Sequence, residues 1–282
     1  MAYHKPAPIV SGSVYRPIHV GKALSEVDIP GTIGDDTGDN ISRKNPLYCE
    51  MTAAYWAWKN DRDSDYIGLC HYRRVFSMKR PKTRRNFIEK IKYYLAIYLM
   101  PFRHIGGWLT DWNAHYVDRE NDFLRLAHEF STDISRSIAR GKYTVYALKP
   151  VKHSGVEFGI LFKNIFGEVI MELVQEIIAR KYPDYFPDFI ASLHSNESYY
   201  GNMTIMRRDV FERYASMLFD VLQTHEKSLV DKELLIDPMR EKVFARGEGF
   251  IAEFLTSMFI RHKLRTEKSS VKLLNAVLYS VL

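Results

Sequence analysis

Across "NPLYCEMTAAYWAWKN", residues 45–60, apolar side chains recur at Leu47, Met51, Ala54, Tyr55 and Trp58, the spacing of one helical face. Asn45, with Pro46 behind it, predicts an N-cap and a first helical position. The turn "DRDS" then leads into a short apolar run, Tyr66 to Cys70, which ends abruptly in His71-Tyr72-Arg73-Arg74. Downstream the pattern predicts a helix over 117–139, a strand over 143–150 and a long helix from Phe158 to Pro183. A strand over 199–208 and a helix from Arg208 to Ser228 follow. Residues 248–264 read as another helix, and 265–282 as a closing amphipathic one. Strands alternating with helices predict an α/β fold on a mostly parallel sheet. No repeat or low-complexity tract divides the chain, so 1–282 reads as a single domain.

Two segments break the alternation. "SEVDIPGTIGDDTGDNISRKN" is a glycine- and acid-rich loop without a period. From Ser77 to about Gly107, eight Lys or Arg stand against one Glu, interleaved with aromatic and aliphatic residues. The expectation is a basic, aromatic helical insertion over 77–140. Phe87, Ile91, Tyr94, Leu95 and Tyr98 share one face of it, behind Lys79, Arg80, Lys82, Arg84 and Arg85. Such a helix suits an anionic membrane surface, or packs on the domain itself.

Composition narrows the classes. With 282 residues, 46% hydrophobic and 26% charged, the chain buries a substantial core and is not globally disordered. A net charge of +6 favours an anionic partner. Cys49 and Cys70 sit in apolar patterns, as packing thiols of a reducing compartment do. Neither a signal peptide nor a run of 18 apolar residues is present, so a soluble or peripheral protein is expected.

The candidate chemistry gathers at two places. Arg73-Arg74 suits bidentate phosphate recognition, and with His71 it is delivered to the end of a strand, where open α/β sheets bind ligands. Neighbours on a strand point to opposite faces, so both arginines reach one ligand only where the backbone leaves the strand. Surface ion pairs and a core histidine are the plainer alternatives. In the acidic loop, Asp35, Asp36, Asp39 and Asn40 offer carboxylates and an amide to ribose hydroxyls or base edges, or cap the next helix. A calcium loop counted from Asp39 fails, because Ile41, Arg43 and Lys44 occupy ligand and glycine positions. No metal-binding spacing occurs. Asn202 in "GNM" breaks a strand pattern, which suggests close backbone approach. Glu248 and Glu253 flank a glycine-rich helix start, where one faces a cleft or both lie on the surface. His4, Lys5 and His19 carry little signal alone.

Taken together, "HKP", "YRPIHVG", "GDDTGDNIS-KNPLYCEMTAAYWAWKN" and "DYIGLCHYRRVF" resemble one bacterial family. It is the domain of unknown function 4422, found among capsular, exopolysaccharide and O-antigen glycosyltransferases. "YYGNMTIMRRDVFERY" and "GEGFIAEFLTSMFI" match more loosely. The resemblance implies a GT-A-like, Rossmann-related sheet flanked by helices, with only a stunted first strand before His4. It implies transfer of a hexose, galactose as pyranose or furanose, from a UDP-sugar to a lipid-linked oligosaccharide acceptor. The place is the inner face of the cytoplasmic membrane. "HYRR" stands where similar enzymes carry a cation-holding Asp-x-Asp, so His71, Arg73 and Arg74 are expected to hold the diphosphate with no metal cofactor. His4, Lys5, His19, Asp35, Asp36, Asp39, Asn40, Lys44 and Asn45 are the implied donor residues. Asn202 with Glu248 or Glu253 is the implied acceptor side. Two rivals are a nucleic-acid binder that stacks bases on the basic aromatic segment and a non-catalytic membrane adaptor of polysaccharide assembly. The motifs at 31–76 favour the enzyme, and no nucleic-acid partner is expected.

Overall fold

The computed structural model describes residues 1–80, 114–153, 156–199, 201–231 and 246–279. Three short strands, β1 (Ala2–Tyr3), β2 (Ile18–His19) and β3 (Ile33–Gly34), run parallel and bring Tyr3, His19 and Gly34 into register. Helices α1 (Asn45–Tyr48) and α2 (Met51–Asn60) lead into β4 (Tyr66–Leu69) and then β5 (Arg74–Ser77), which lie at opposite edges of the sheet path. Next come β6 (Ala114–Val117), α3 (Glu120–Ala139), β7 (Val145–Leu148) and β8 (Val151–Lys152). Helices α4 (Phe158–Phe166), α5 (Glu168–Lys181) and α6 (Phe186–Leu193) precede β9 (Glu197–Ser198) and β10 (Thr204–Arg207). The described chain closes with α7 (Arg208–Asp231), α8 (Gly247–Thr266) and β11 (Val271–Tyr279).

The expected α/β architecture is present, with a mixed sheet. Its order is β4-β10-β7-β11-β5, with β6 on β11, and β10 runs antiparallel between β4 and β7. Alternate residues feed two cores: Val145 and Met206 face the layer of α2 and α4 to α8, while Tyr146 and Ile205 face α3. The parallel strands join this sheet through β1, where Ala2 N donates to Cys70 O (2.9 Å) and Tyr72 N donates to Ala2 O (3.0 Å). Among the described residues no helix is long and apolar enough to cross a membrane.

Several expectations change. The segment after 265 is not a closing amphipathic helix but β11, a central strand between β7 and β6 on one side and β5 on the other. A short apolar run has no period that separates strand from helix, and the partners decide. Residues 114–139 are core, not insertion: β6 lies in the sheet, and Phe123, Ala127, Phe130 and Ile134 of α3 are buried against it. The rest of that insertion, 81–113, lies outside the described residues. The long helix breaks at Gly167, whose φ of 85° ends α4 and starts α5. Asn45 is no N-cap, because its Nδ2 donates forward to Cys49 O (2.8 Å). Both cysteines are free, and burial pushes both thiols up, Cys49 to about 11.

Strand pairing at Gly68 is tight enough to test. A Cβ there would stand 2.7 Å from Ile205 Cγ1 and 2.9 Å from Thr204 O, and the latter is backbone in the paired strand. Gly68→Ala is therefore expected to cost about 1–3 kcal/mol through overpacking. Urea unfolding measures it, and an unchanged midpoint would contradict this spacing.

Candidate active site

Parallel register sets the edge of the site. Beyond Tyr3, His19 and Gly34 the chain carries His4-Lys5, Val20-Gly21-Lys22 and Asp35-Asp36, and the Ala2–His71 bridge brings the end of β4 alongside. His71 and Arg74 exchange backbone hydrogen bonds (3.1 and 2.9 Å), so Tyr72-Arg73 is the tip of a tight turn. The backbone thus leaves the strand exactly at the charged residues' root: Tyr72 is buried, and cations gather round its ring. His4 meets it edge-on at 4.8 Å, Arg73 lies 4.9 Å from its centroid and Lys5 6.0 Å. The His4 imidazole is held low by burial first, then by Lys5, Arg73, Arg246 and His71. Five cationic or protonatable groups therefore converge on one edge.

A carboxylate enters from the opposite side. Cys49 adopts φ 51° and breaks the expected helix, so that Glu50 opens α2 near His71 of that turn. Glu50 Oε1 accepts from Asn202 Nδ2 (3.0 Å) and lies 3.8 Å from His71 Nε2, which donates to Gly201 O (2.7 Å). Burial lowers the His71 pKa, Glu50 opposes that and Arg74 adds to it. Asn202, buried at φ 54°, also donates to Gly249 O (3.2 Å) and accepts from Thr256 Oγ1 (3.0 Å), with the Tyr214 hydroxyl behind at 2.7 Å. Arg246, at φ 75°, points Nε at Cys49 Sγ (3.4 Å). Cys49, Asn202 and Arg246 are the non-glycine residues with positive φ among the described residues, and all three meet here. Such conformations cost on the order of 1–3 kcal/mol each and cluster at functional sites.

The two acids of α8 part company. Glu253 lies near Glu50, with Oε2 buried and unpartnered, and its pKa is pushed up to about 8 by burial and then by Glu50, against Arg74 and Arg246. Glu248 is turned away: 1% exposed, it bonds His225 Nδ1 at 2.7 Å, and burial raises its pKa against that histidine.

The donor candidates also separate. Asp35 is wholly buried and fastens the β2 exit, accepting from Gly21 N (2.9 Å), Lys22 N (3.1 Å) and Ser42 Oγ. His19 is buried beside it, its pKa lowered by burial and then by Lys22. Asp39 accepts from Tyr55 OH (3.2 Å), and the Asn40 amide donates to Asp36 O and Gly38 O. Lys44 is paired with Glu226 at 2.7 Å. Asp36 remains exposed at the edge. Glu50, Arg246 and Thr256 escaped the sequence pattern. Only Glu50 left a trace, an acid at the i+3 place of Leu47 within the apolar stripe. Among the described residues, no group of three or more His, Cys, Asp or Glu is placed to hold a metal ion.

The Glu253 carboxyl links stability to pH. Its folded pKa near 8 lies above its ordinary 4.5, so the folded state holds an extra proton between those values. The stability this contributes is present below pH 4.5 and is lost as pH rises through 8. Against Glu253→Gln, the wild-type melting temperature is expected to fall across that window and level off above it. A difference flat in pH would contradict the assignment.

Comparison with known proteins adds the relationship. No curated protein matches the chain. A solved structure described as the apo WbbM bifunctional glycosyltransferase is similar at 26% identity with a TM-score of 0.77, over 99% of this chain and 44% of that one. This chain thus spans less than half of that protein's length. The family model described as Domain of unknown function (DUF4422) matches residues 1–264, a stretch that includes every site residue above, and the chain belongs to that family.

Proposed function

We propose that the chain is a GT-A-like glycosyltransferase that moves a hexose, galactose as pyranose or furanose, from a UDP-sugar to a lipid-linked surface-polysaccharide acceptor. One observation carries this: His4, Lys5 and Arg73 gather round the Tyr72 ring at the carboxyl edge of parallel strands, with His71 and Arg246 near His4. Departure of a nucleoside diphosphate develops negative charge, and fixed guanidinium and ammonium groups stabilise it without reorganising. The exposed Asp36 at the end of β3 stands on the same edge, where a ribose or base is within the reach of a carboxylate. The likeness to a bifunctional glycosyltransferase supports the same reaction class. Its place is peripheral, on the cytoplasmic face of the membrane, where the eight Lys or Arg between Ser77 and Gly107 favour an anionic lipid surface.

The nucleotide is tested by calorimetry. UDP is expected to bind more tightly than ADP or GDP, and Asp36→Ala to weaken it. Equal affinity for all three diphosphates would remove the uridine preference.

The cation cluster takes the part a metal plays elsewhere. Turnover is expected to persist in excess EDTA, whereas Arg73→Ala loses on the order of 10²-fold in rate, comparable to removal of one preformed oxyanion donor. Activity abolished by EDTA and restored by manganese would contradict this.

A further inference from the structure

We infer that Glu50 is the proton acceptor for the attacking hydroxyl in this site, positioned by Asn202 and flanked by Glu253. The inference rests on the glycosyltransferase function proposed above and adds to it a residue for the step that the cations cannot perform.

Three observations carry it. First, Glu50 is aimed. The chain breaks its helix at Cys49, at φ 51°, and without that break α1 and α2 would continue as one helix. Secondly, the carboxylate is held yet reachable. Asn202 Nδ2 fixes Oε1 at 3.0 Å, and Asn202 is itself locked by Thr256 and Gly249, while the Glu50 side chain stays 12% exposed. No hydrogen bond within the described residues engages Oε2, which is left to receive a proton. Thirdly, a second acid lies behind it with a buried oxygen that no group satisfies. An unpartnered buried carboxyl costs free energy wherever it does nothing, and paired acids in different environments are how sites separate an acid from a base. His71, Arg74, Arg246, Cys49 and Tyr214 are the titratable or charged groups that face this pair.

The step balances as a single displacement. The acceptor oxygen bonds to the anomeric carbon while its proton passes to Glu50. The bond from that carbon to the diphosphate oxygen breaks, and its electron pair leaves on UDP beside the cation cluster. The proton on Glu50 then returns to water. Attack from the face opposite the leaving group inverts the anomeric configuration.

Glu50→Gln tests this, because the amide oxygen still accepts from Asn202 and the fold is kept. The probes are UDP-galactose as donor and an alkyl galactoside as acceptor, with UDP calorimetry in parallel. The variant is expected to bind UDP as the wild type does and to lose about 10²–10⁴-fold in kcat, the range of one general base. Glu50→Asp is expected to recover part of the loss, and product NMR to show inversion. A Glu50→Gln enzyme within a few-fold of wild type, or a product with retained configuration, overturns the assignment and leaves the glycosyltransferase function standing. A wild type that turns over no UDP-hexose overturns the function itself and the assignment with it, before any variant is made.

Discussion

Two backbone hydrogen bonds, Ala2 N to Cys70 O and Tyr72 N to Ala2 O, hold the candidate site together. They join the parallel strands β1 to β3 to the sheet, and they put His4 and Lys5 beside a tight turn that already carries His71, Arg73 and Arg74. Like charges brought this close repel one another, and after burial, the larger cause, they lower the His4 pKa further. An anion with several oxygens, such as the diphosphate of the proposed donor, would relieve that repulsion. The Tyr72 ring, buried beneath them, gives the cations a common apolar face to lie on.

On the other side of the edge, strain and hydrogen bonding keep a carboxylate in place. Cys49, Asn202 and Arg246 all hold backbone conformations that side chains disfavour, and each adjoins Glu50 or Glu253. The chain of Glu50, Asn202, Thr256 and Tyr214 runs from the edge into the interior without a gap. A network satisfied at every link fixes its members, whereas one broken link leaves a buried polar group exposed to the full cost of desolvation. Beside that chain, Glu253 Oε2 is buried with no hydrogen-bond partner among the described residues.

Much of the cationic half was legible in the sequence. The switch from Leu69-Cys70 to His71-Tyr72-Arg73-Arg74 marks the end of a strand, and the structure places a two-residue turn there. The acidic half was hidden for a local reason and a distant one. Pro46 and the apolar stripe describe a continuous helix, while the break at Cys49 depends on α8 packing against it: a Cβ at Gly249 would come within 3.1 Å of Cys49. Asp35 shows the converse. Its place in an exposed-looking glycine-rich loop suggests a ligand, but three donors from its own chain occupy it. The strand β11 was unreadable because its nine residues are buried nearly throughout, and such a run has no face to reveal.

The central claim is that the cations around Tyr72 hold a diphosphate directly, and phosphorus NMR addresses it without any acceptor or donor sugar. With UDP and the wild-type chain in excess EDTA, both phosphorus resonances are expected to move from their free positions. With Lys5→Ala and Arg73→Ala combined, they are expected to stay there. Resonances that shift equally with both proteins, or with neither, would contradict the claim.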